Sequence, residues 1–207
     1  MPADGAVVLL GVRAVAETSL TDLSVTDFLA RLASTQPTPG GGSVAALTGA
    51  LAASLGCMVA GFTLGRPRFA AVEPQVRGLA ERLARAAELL ARLIDEDAAA
   101  YELLSGALKM DKSDPARAQR VRQAAGVAAR VPLETAALAA AAWADLKKLH
   151  AVGNPLLHSD AQAAMHLARA AVLAAAANVR ANLSFLHEED RAEVGRQLEH
   201  AIARVTD

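Results

Sequence analysis

The chain has 207 residues, of which 53% are hydrophobic and only 3% aromatic, and its formal net charge at pH 7 is −1. This length suffices for one domain with a sizeable core, and the near-neutral charge offers no global field to attract nucleic acid or an acidic membrane. The single cysteine, Cys57, excludes an internal disulfide and a cysteine-rich metal site, and it suits the reducing cytoplasm, where we expect the protein.

Alanine supplies much of the apolar content. Because Ala is the strongest helix former and few β-branched or aromatic runs favour strands, the composition predicts an all-α fold. We assign residues 22–207 to one domain and residues 1–21 to an N-terminal extension. The apolar patch from Ala6 to Val12 has no basic region before it and no clear small-residue cleavage site, so we do not interpret it as a signal peptide.

The first predicted helix runs from Ser24 to Ala33. Ser24 has the right position and side chain for an N-cap, and Asp27 follows in the first turn. Four apolar residues recur at helical spacing and define one face: Val25, Phe28, Leu29 and Leu32.

A proline- and glycine-rich turn ends that helix, with the sequence Pro37-Thr38-Pro39-Gly40-Gly41-Gly42-Ser43. The prolines stop a helix entering from the N-terminal side, and the glycines let a ligand approach the main chain closely. Ser43 is the predicted N-cap of a second helix that extends to Leu64. The free N–H groups at such a helix start attract anions.

The second helix lies in a stretch without charge, from Thr38 to Gly65. Its length is sufficient to cross a membrane, but Gly, Ala, Ser and Thr dominate it, so insertion would be weakly driven. We therefore predict a buried helix and no membrane association. A stripe of small residues indicates close packing of another helix, within the chain or across a dimer: Gly49, Ala53, Gly56 and Ala60.

The segment Arg66-Pro67-Arg68 ends the second helix. Its two cations favour the helix dipole at that C-terminal end, and they equally suit an anionic ligand. From the residues alone, these two interpretations of Arg66 and Arg68 remain open.

The third predicted helix begins near Pro74 and continues to about Lys109. Asp97, Tyr101 and Leu104 fall on one face, since they are spaced at i, i+4 and i+7. Tyr101, the only tyrosine, thus lies one turn from a carboxylate. The two alternatives are a functional pair and a solvated acidic turn beside a tyrosine at the edge of the core.

A polar connection, Asp111 to Pro115, leads to a fourth helix that extends to about Arg130. Pro132 marks a kink or a restart, and a fifth, Ala-rich helix runs from Leu133 to His150. The turn Gly153-Asn154-Pro155 follows.

The polar sequence His158-Ser159-Asp160 precedes another Ala-rich helix that extends to about Leu186. Ser159 or Asp160 is suited to cap it, which is the structural alternative to a functional role for both. Asn178 and Asn182 are i, i+4 neighbours on this helix, and buried amides there need partners. The last predicted helix runs from Glu188 to Val205.

Several common cofactor motifs are missing from the sequence. The glycine-rich turn lacks the lysine of a Walker loop, and no strand precedes it as in a dinucleotide fingerprint. No histidine pair has the spacing of metal ligands. We therefore predict no metal site.

These motifs together resemble the cyclodeaminase/cyclohydrolase family of folate enzymes. The resemblance covers roughly residues 22–200. It rests on five segments in order: Pro37 to Ser43, the helix end from Met58 to Gly65, Asp97 with Tyr101, Val131-Pro132-Leu133, and Gly153-Asn154 with Ser159-Asp160-Ala161 and then Asn178 and Asn182. Three departures from the family pattern accompany these segments. Pro67 interrupts what is a lysine-rich stretch in the family, Met110-Asp111-Lys112 stands where the family has Leu-Pro-Lys and keeps the lysine, and Tyr101 replaces a phenylalanine.

The resemblance implies a single-domain bundle of mostly antiparallel long helices that forms a homodimer and acts on a tetrahydrofolate derivative, with or without a polyglutamate tail. Two reactions are possible: closure of 5-formimino-tetrahydrofolate to the 5,10-methenyl compound with loss of ammonia, and hydrolysis of that compound to 10-formyl-tetrahydrofolate. Both need a proton shuttle, and a carboxylate stabilises the cationic amidinium in both. Neither demands a metal or organic cofactor.

We hypothesise that Asp97 and Asp160 flank the reacting carbon, with Lys112 or His158 assisting proton transfer or tail binding. In this hypothesis Asn154, Ser159 and Asn182 orient the pterin. The other predicted substrate-binding residues are Pro39, Gly40, Gly41, Gly42, Ser43 and Tyr101. Arg66 and Arg68 are predicted to bind the carboxylates of the glutamate tail.

Two other classes of protein stay open at this point. One is a non-catalytic helical dimer that binds folate or a partner helix, and the other is a purely structural bundle. The sequence does not distinguish cyclodeaminase from cyclohydrolase.

Overall fold

The computed structural model describes residues 19–206, and every regular element in that range is helical. The predicted extension lies almost wholly outside the described residues, including the patch from Ala6 to Val12. The α-helices of the described range are α1 (Val25–Leu32), α2 (Gly41–Gly61), α3 (Glu73–Lys109), α4 (Arg117–Val152), α5 (His158–Asn182) and α6 (Glu188–Thr206). Short 3₁₀ turns lie at Leu20–Asp22, Pro67–Val72, Pro155–Leu157 and Leu183–Phe185.

The four long helices α2 to α5 form a square bundle. Each packs on the next in the chain, α5 returns to α2, and α2 also touches α4 across the diagonal. Near one end of the bundle Ser43 of α2 contacts Ile94 of α3, and nearer the other end Cys57 contacts Ala80. Residue numbers along α3 therefore decrease as those along α2 increase, which means that α2 and α3 run antiparallel. The predicted all-α bundle is confirmed.

Small residues on α2 allow the bundle to close. A Cβ at Gly49 would lie 3.1 Å from Leu90 of α3, and one at Gly56 would lie 3.0 Å from Leu83. The stripe that contains both glycines therefore serves close packing within the chain. On the opposite face α2 leaves large apolar side chains exposed, as described below.

α2 is also long and apolar enough to cross a membrane, with a mean hydropathy of 1.8 over its most apolar window. Half of that window is buried by the other helices. Core helices pass the same length and composition test.

α2 begins at Gly41 with Gly40 as its N-cap and no side-chain cap, so the prediction that Ser43 caps this helix is wrong. Ser43 lies inside the first turn and is buried, where its hydroxyl donates to the Ile94 carbonyl and to Asp97 Oδ2. A carboxylate from another helix thus meets the α2 N-terminus in place of a local cap. This explains why the local pattern misplaced the start.

α4 continues through Pro132 without interruption, so the predicted restart at that residue did not occur. Proline has no N–H and leaves the carbonyl four residues earlier without its helical donor. Here that carbonyl belongs to Ala128, and Asn182 Nδ2 donates to it at 2.9 Å. A side chain from α5 thus supplies the missing hydrogen bond.

α5 starts at His158, directly after the 3₁₀ turn, with Leu157 as N-cap. The prediction that Ser159 or Asp160 caps this helix is therefore wrong, since the 3₁₀ turn already leads the backbone into helical geometry before both residues. Asn154 takes a capping role one element earlier, where its side chain accepts from Leu156 N.

α1 has the predicted Ser24 cap, because the Ser24 side chain accepts from Asp27 N. Its apolar face is only partly buried, however. Phe28 is buried, whereas Val25 is 78% exposed and Leu29 is 56% exposed.

Candidate active site

A cavity of about 210 Å³ opens beside the N-terminus of α2. The proline- and glycine-rich turn, α3, α4 and α5 all contribute to its wall. Its lining residues are Pro37, Thr38, Gly40, Gly41, Gly42, Asp97, Ala100, Tyr101, Leu104, Ala128, Asn178 and Asn182.

Asp97 supplies the carboxylate of this cavity. Burial raises the pKa of the Asp97 carboxyl above its ordinary value, and hydrogen bonds from the hydroxyl and backbone N–H of Ser43 oppose part of that shift. The hydroxyl contact is 3.0 Å long. A raised pKa makes this carboxyl a stronger proton acceptor than a free aspartate, which is the direction that general acid–base catalysis at a carboxyl requires.

Gly42 allows this carboxylate to reach the helix start. An ideal Cβ at position 42 would overlap the Asp97 carboxylate and lie 2.7 Å from its Oδ2. Gly41 is similar but less tight, since a Cβ there would lie 3.2 Å from Asn178 Nδ2. The glycines were expected to let a ligand approach the main chain closely. In the structure two side chains of the same chain, Asp97 and Asn178, make that close approach.

Asn178 and Asn182 form the opposite wall, one helical turn apart on α5. Asn178 Nδ2 donates to the Ala174 carbonyl at 2.9 Å. Asn182 Nδ2 donates to the carbonyls of Ala128 and Asn178. Both amides are therefore held in place by the helix backbone.

The structure brings together part of the predicted site: Gly40, Gly41, Gly42, Asp97, Tyr101 and Asn182. Ser43 lies behind the wall and holds Asp97. Pro39 is buried within the turn and does not line the cavity. Tyr101 is 46% exposed.

A second group of predicted residues lies at the other end of α2. Arg66, Arg68 and Asn154 line an open depression together with Phe62 and Leu156. Arg68 Nη2 donates to Asn154 Oδ1 at 2.7 Å.

Asn154 is itself fixed there, because its backbone N donates to Thr63 Oγ1 at 3.0 Å. It is only 8% exposed. Its hydrogen bonds join the α4–α5 turn to the end of α2, so Asn154 has a clear structural role whether or not it also binds a ligand.

His158, Ser159 and Asp160 occupy the first turn of α5 at this same end. The His158 ring lies 4.6 Å from the His150 ring, centroid to centroid. Gly41 packs on Asn178, which lies 18 residues beyond Asp160 along α5, a distance of about 27 Å at 1.5 Å per residue. One copy of the chain therefore does not bring Asp97 and Asp160 together around one carbon.

Lys112 is exposed in the connection between α3 and α4, beyond the end of α3 at Lys109. α3 continues for 12 residues from Asp97 to Lys109, which places its end about 18 Å from the carboxylate. Lys112 lines neither the cavity nor the depression.

Sequence reasoning assigned no site role to several lining residues. Asn178 is the most informative, and its i, i+4 spacing from Asn182 was the signal that pointed to it. Thr38 and Pro37 belong to the turn that was singled out. Ala100, Leu104 and Ala128 gave no separate signal, because alanine and leucine at helical spacing are typical of any core.

Within residues 19–206 no group of three or more His, Cys, Asp or Glu side chains is arranged to hold a metal ion. Cys57 is half-buried, and burial raises the pKa of its thiol, which keeps it protonated.

Comparison with known proteins adds three findings. The family model described as formiminotransferase-cyclodeaminase matches residues 24–200. Formimidoyltransferase-cyclodeaminase of Rattus norvegicus is 33% identical over 84% of this chain, but the match covers only 33% of the rat protein. The chain thus spans about a third of the length of that relative.

Two similar proteins match over most of their own length. Methenyltetrahydrofolate cyclohydrolase of Methylorubrum extorquens is 33% identical over 82% of this chain and 84% of its own. The crystal structure of formiminotetrahydrofolate cyclodeaminase from Thermotoga maritima superposes with a TM-score of 0.78 at 30% identity, over 90% of this chain and 96% of that one.

Proposed function

Because the chain belongs to the formiminotransferase-cyclodeaminase family, we propose that it is a folate one-carbon enzyme that acts on the carbon bridging N5 and N10 of tetrahydrofolate. The reaction is either cyclisation of 5-formimino-tetrahydrofolate with release of ammonia or hydrolysis of 5,10-methenyl-tetrahydrofolate. Relatives of similar length carry each of the two names.

A single observation carries the catalytic part of this proposal: the cavity holds a partly buried carboxyl, that of Asp97, whose pKa is raised. Both reactions pass through a tetrahedral carbon and move protons between nitrogen and solvent. A carboxyl whose pKa is raised by burial supplies that proton transfer. In its charged form it also stabilises the amidinium cation.

In cyclodeamination N10 attacks the formimino carbon, and the bond between that carbon and the terminal nitrogen breaks. The leaving nitrogen takes up two protons, one that N10 gives up and one from solution, and departs as ammonia. Asp97 carries the proton from N10 toward the leaving nitrogen.

In cyclohydrolysis water attacks the same carbon and the bond to N5 breaks, which leaves the formyl group on N10. Of the two protons that water loses, one goes to N5 and the other to solution. Asp97 as a carboxylate accepts the first proton from water. The proposal needs no metal or organic cofactor and no nucleic-acid or membrane partner.

The active unit in this proposal is a homodimer. The exposed face of α2 carries an apolar stripe without charge, in which Leu51 is 53%, Met58 37% and Phe62 50% exposed. An isologous contact through this stripe, with its twofold axis perpendicular to α2, would set the N-terminal end of one α2 beside the C-terminal end of the other. The cavity of one copy is also smaller than the roughly 300–1,000 Å³ typical of ligand sites.

Such a dimer joins the two separated groups of residues. The cavity with Asp97 faces Asp160 of the partner subunit, which completes the pair of carboxylates. Ser159 and His158 of the partner subunit add hydrogen-bonding groups. Arg66 and Arg68 of the partner subunit bind the glutamate tail, where a polyglutamate offers several carboxylates. Lys112 adds a further cation for a longer tail.

The test offers both substrates to the purified full chain and follows the absorbance of the methenyl compound. A rise with 5-formimino-tetrahydrofolate identifies cyclodeamination, and a fall with 5,10-methenyl-tetrahydrofolate beyond the uncatalysed rate identifies cyclohydrolysis. Folate binding without either turnover would leave the non-catalytic alternative, and absence of folate binding would reject the proposal altogether.

A further inference from the structure

The two asparagine amides in the cavity have fixed orientations. A backbone carbonyl only accepts hydrogen bonds, so the side-chain atom that faces it must be the NH₂ group. Asn178 Nδ2 faces the Ala174 carbonyl. Asn182 Nδ2 faces two carbonyls, and the bond to Ala128 replaces the one that Pro132 cannot make.

Each amide therefore directs its oxygen away from those carbonyls. Among the described residues no hydrogen bond reaches Oδ1 of either Asn178 or Asn182, and neither oxygen is fully buried. Both residues line the cavity. Their oxygens thus remain available to a ligand as acceptors, on a rigid helix wall.

Asp97 adds a third acceptor to the same cavity, since an ionised carboxylate only accepts. The side chains that meet a ligand here are therefore mostly acceptors. The α5 wall therefore favours a ligand edge that carries several N–H donors, and it disfavours an edge of carbonyls or carboxylates.

We propose that the oxygens of Asn178 and Asn182 accept hydrogen bonds from the donor edge of the 2-amino-4-oxopyrimidine ring of the pterin, and that they set the enzyme's selectivity for that ring. This inference rests on the proposed function, because it takes a folate as the ligand. It assigns the two asparagines a positioning role and leaves proton transfer to Asp97.

Selectivity follows from the cost of an unmade hydrogen bond. A site built to accept from a ligand N–H strongly rejects an analogue without that donor, because the site's acceptors are then desolvated and unpaired. We expect wild-type protein to bind tetrahydrofolate at least about tenfold more tightly than its 2-deamino-2-methyl analogue.

The experiment measures the Kd of both compounds by calorimetry for the full-length wild type, Asn178→Ala and Asn182→Ala. Each variant should bind tetrahydrofolate more weakly than wild type does and bind the analogue nearly as well as wild type does. The ratio of the two Kd values should therefore fall to within about threefold. Gln197→Leu on α6, an exposed amide that does not line the cavity, serves as the matched control and should keep the wild-type ratio.

A wild-type ratio below about threefold overturns the inference even if a variant fails to fold. A ratio that persists in folded Asn178→Ala and Asn182→Ala overturns it as well, while the proposed function stands in both cases because folate still binds. If wild-type protein binds neither compound, the proposed function falls and this inference falls with it.

Discussion

Asn182 of α5 makes the hydrogen bond that Pro132 removes from α4. The carbonyl of Ala128 would accept from an N–H at position 132, which proline lacks, and Asn182 Nδ2 occupies that place at 2.9 Å. The proline and the asparagine are therefore energetically coupled, although they lie on different helices. The same bond also fixes the amide that faces the candidate active site.

This coupling is measurable as a double-mutant cycle. Asn182→Ala in the wild-type background leaves the Ala128 carbonyl without a donor and should lower the free energy of unfolding by about 1–3 kcal/mol. In the Pro132→Ala background the restored N–H serves that carbonyl. The same substitution should then cost about 1 kcal/mol less. Urea denaturation of the four proteins gives the coupling energy, and a value near zero would contradict the relationship.

Gly42→Ala tests how strictly the site depends on the close approach of Asp97 to α2. The added Cβ would overlap the carboxylate, so the side chain must leave its place beside Ser43. We expect a stability loss of about 1–3 kcal/mol from overpacking. Turnover should fall by about 100-fold, because the acid–base group is displaced.

The matched control is Gly195→Ala in α6, where a Cβ meets no atom within 4 Å. Alanine is the better helix former, so this variant should gain about 0.5–1 kcal/mol and keep wild-type turnover. Wild-type activity in Gly42→Ala would remove Asp97 from the mechanism or show that its carboxylate has another place to act.

Asp97→Asn separates the charge of this residue from its hydrogen bonds. Burial raises the pKa of the Asp97 carboxyl above 3.8, its ordinary value, so the folded protein holds the proton more tightly than the unfolded chain does. Ionising this buried carboxyl therefore lowers the free energy of unfolding. This loss of stability is absent below pH 3.8, grows as the pH rises from 3.8 to the raised pKa, and stays constant above the raised pKa.

Since an asparagine oxygen still accepts from Ser43, Asp97→Asn should be more stable than wild type at neutral pH, and the difference should vanish toward acidic pH. Urea titrations of both proteins at several pH values check this. Turnover should nevertheless drop by about 100-fold or more. A variant that loses stability relative to wild type as the pH rises would mean that the charge stabilises the α2 N-terminus instead.

Local patterns in the sequence were enough to predict much of this fold. The Ser24 cap, the start of α3 within one residue of Pro74 and the shared face of Asp97 and Tyr101 all depend on residues within a few positions of one another. The features that were missed depend on partners far away in the chain. Asp97 meets the helix start at Ser43 from 54 residues away.

Local patterns in the sequence also predicted part of the candidate site, but they did not predict which of its parts lie together. Helical spacing groups Asp97 with Tyr101 but does not say which ends of two helices meet. Only the observed packing of Gly41 on Asn178 puts Asp160 at the far end of the bundle. The hypothesis of two carboxylates at one carbon therefore requires two copies of the chain.

That requirement predicts complementation between inactive variants. Asp97→Asn and Asp160→Asn should each be nearly inactive when pure, since every site lacks one carboxylate. Unfolding them together in denaturant and refolding the mixture yields heterodimers in which one of the two shared sites is intact. If the copies mix at random, the preparation should recover roughly a quarter of wild-type turnover.

Leu51→Glu, made in the same pair of variants, provides the control. A charge in the exposed α2 stripe should prevent dimer formation, which light scattering would detect as a halved mass. Complementation should then disappear. The two variants have the same mass, so one of them is labelled with ¹⁵N. If mass spectrometry then finds heterodimers of intermediate mass in the original pair and the mixture is still inactive, the shared site is wrong, and Asp160 acts elsewhere or only stabilises the first turn of α5.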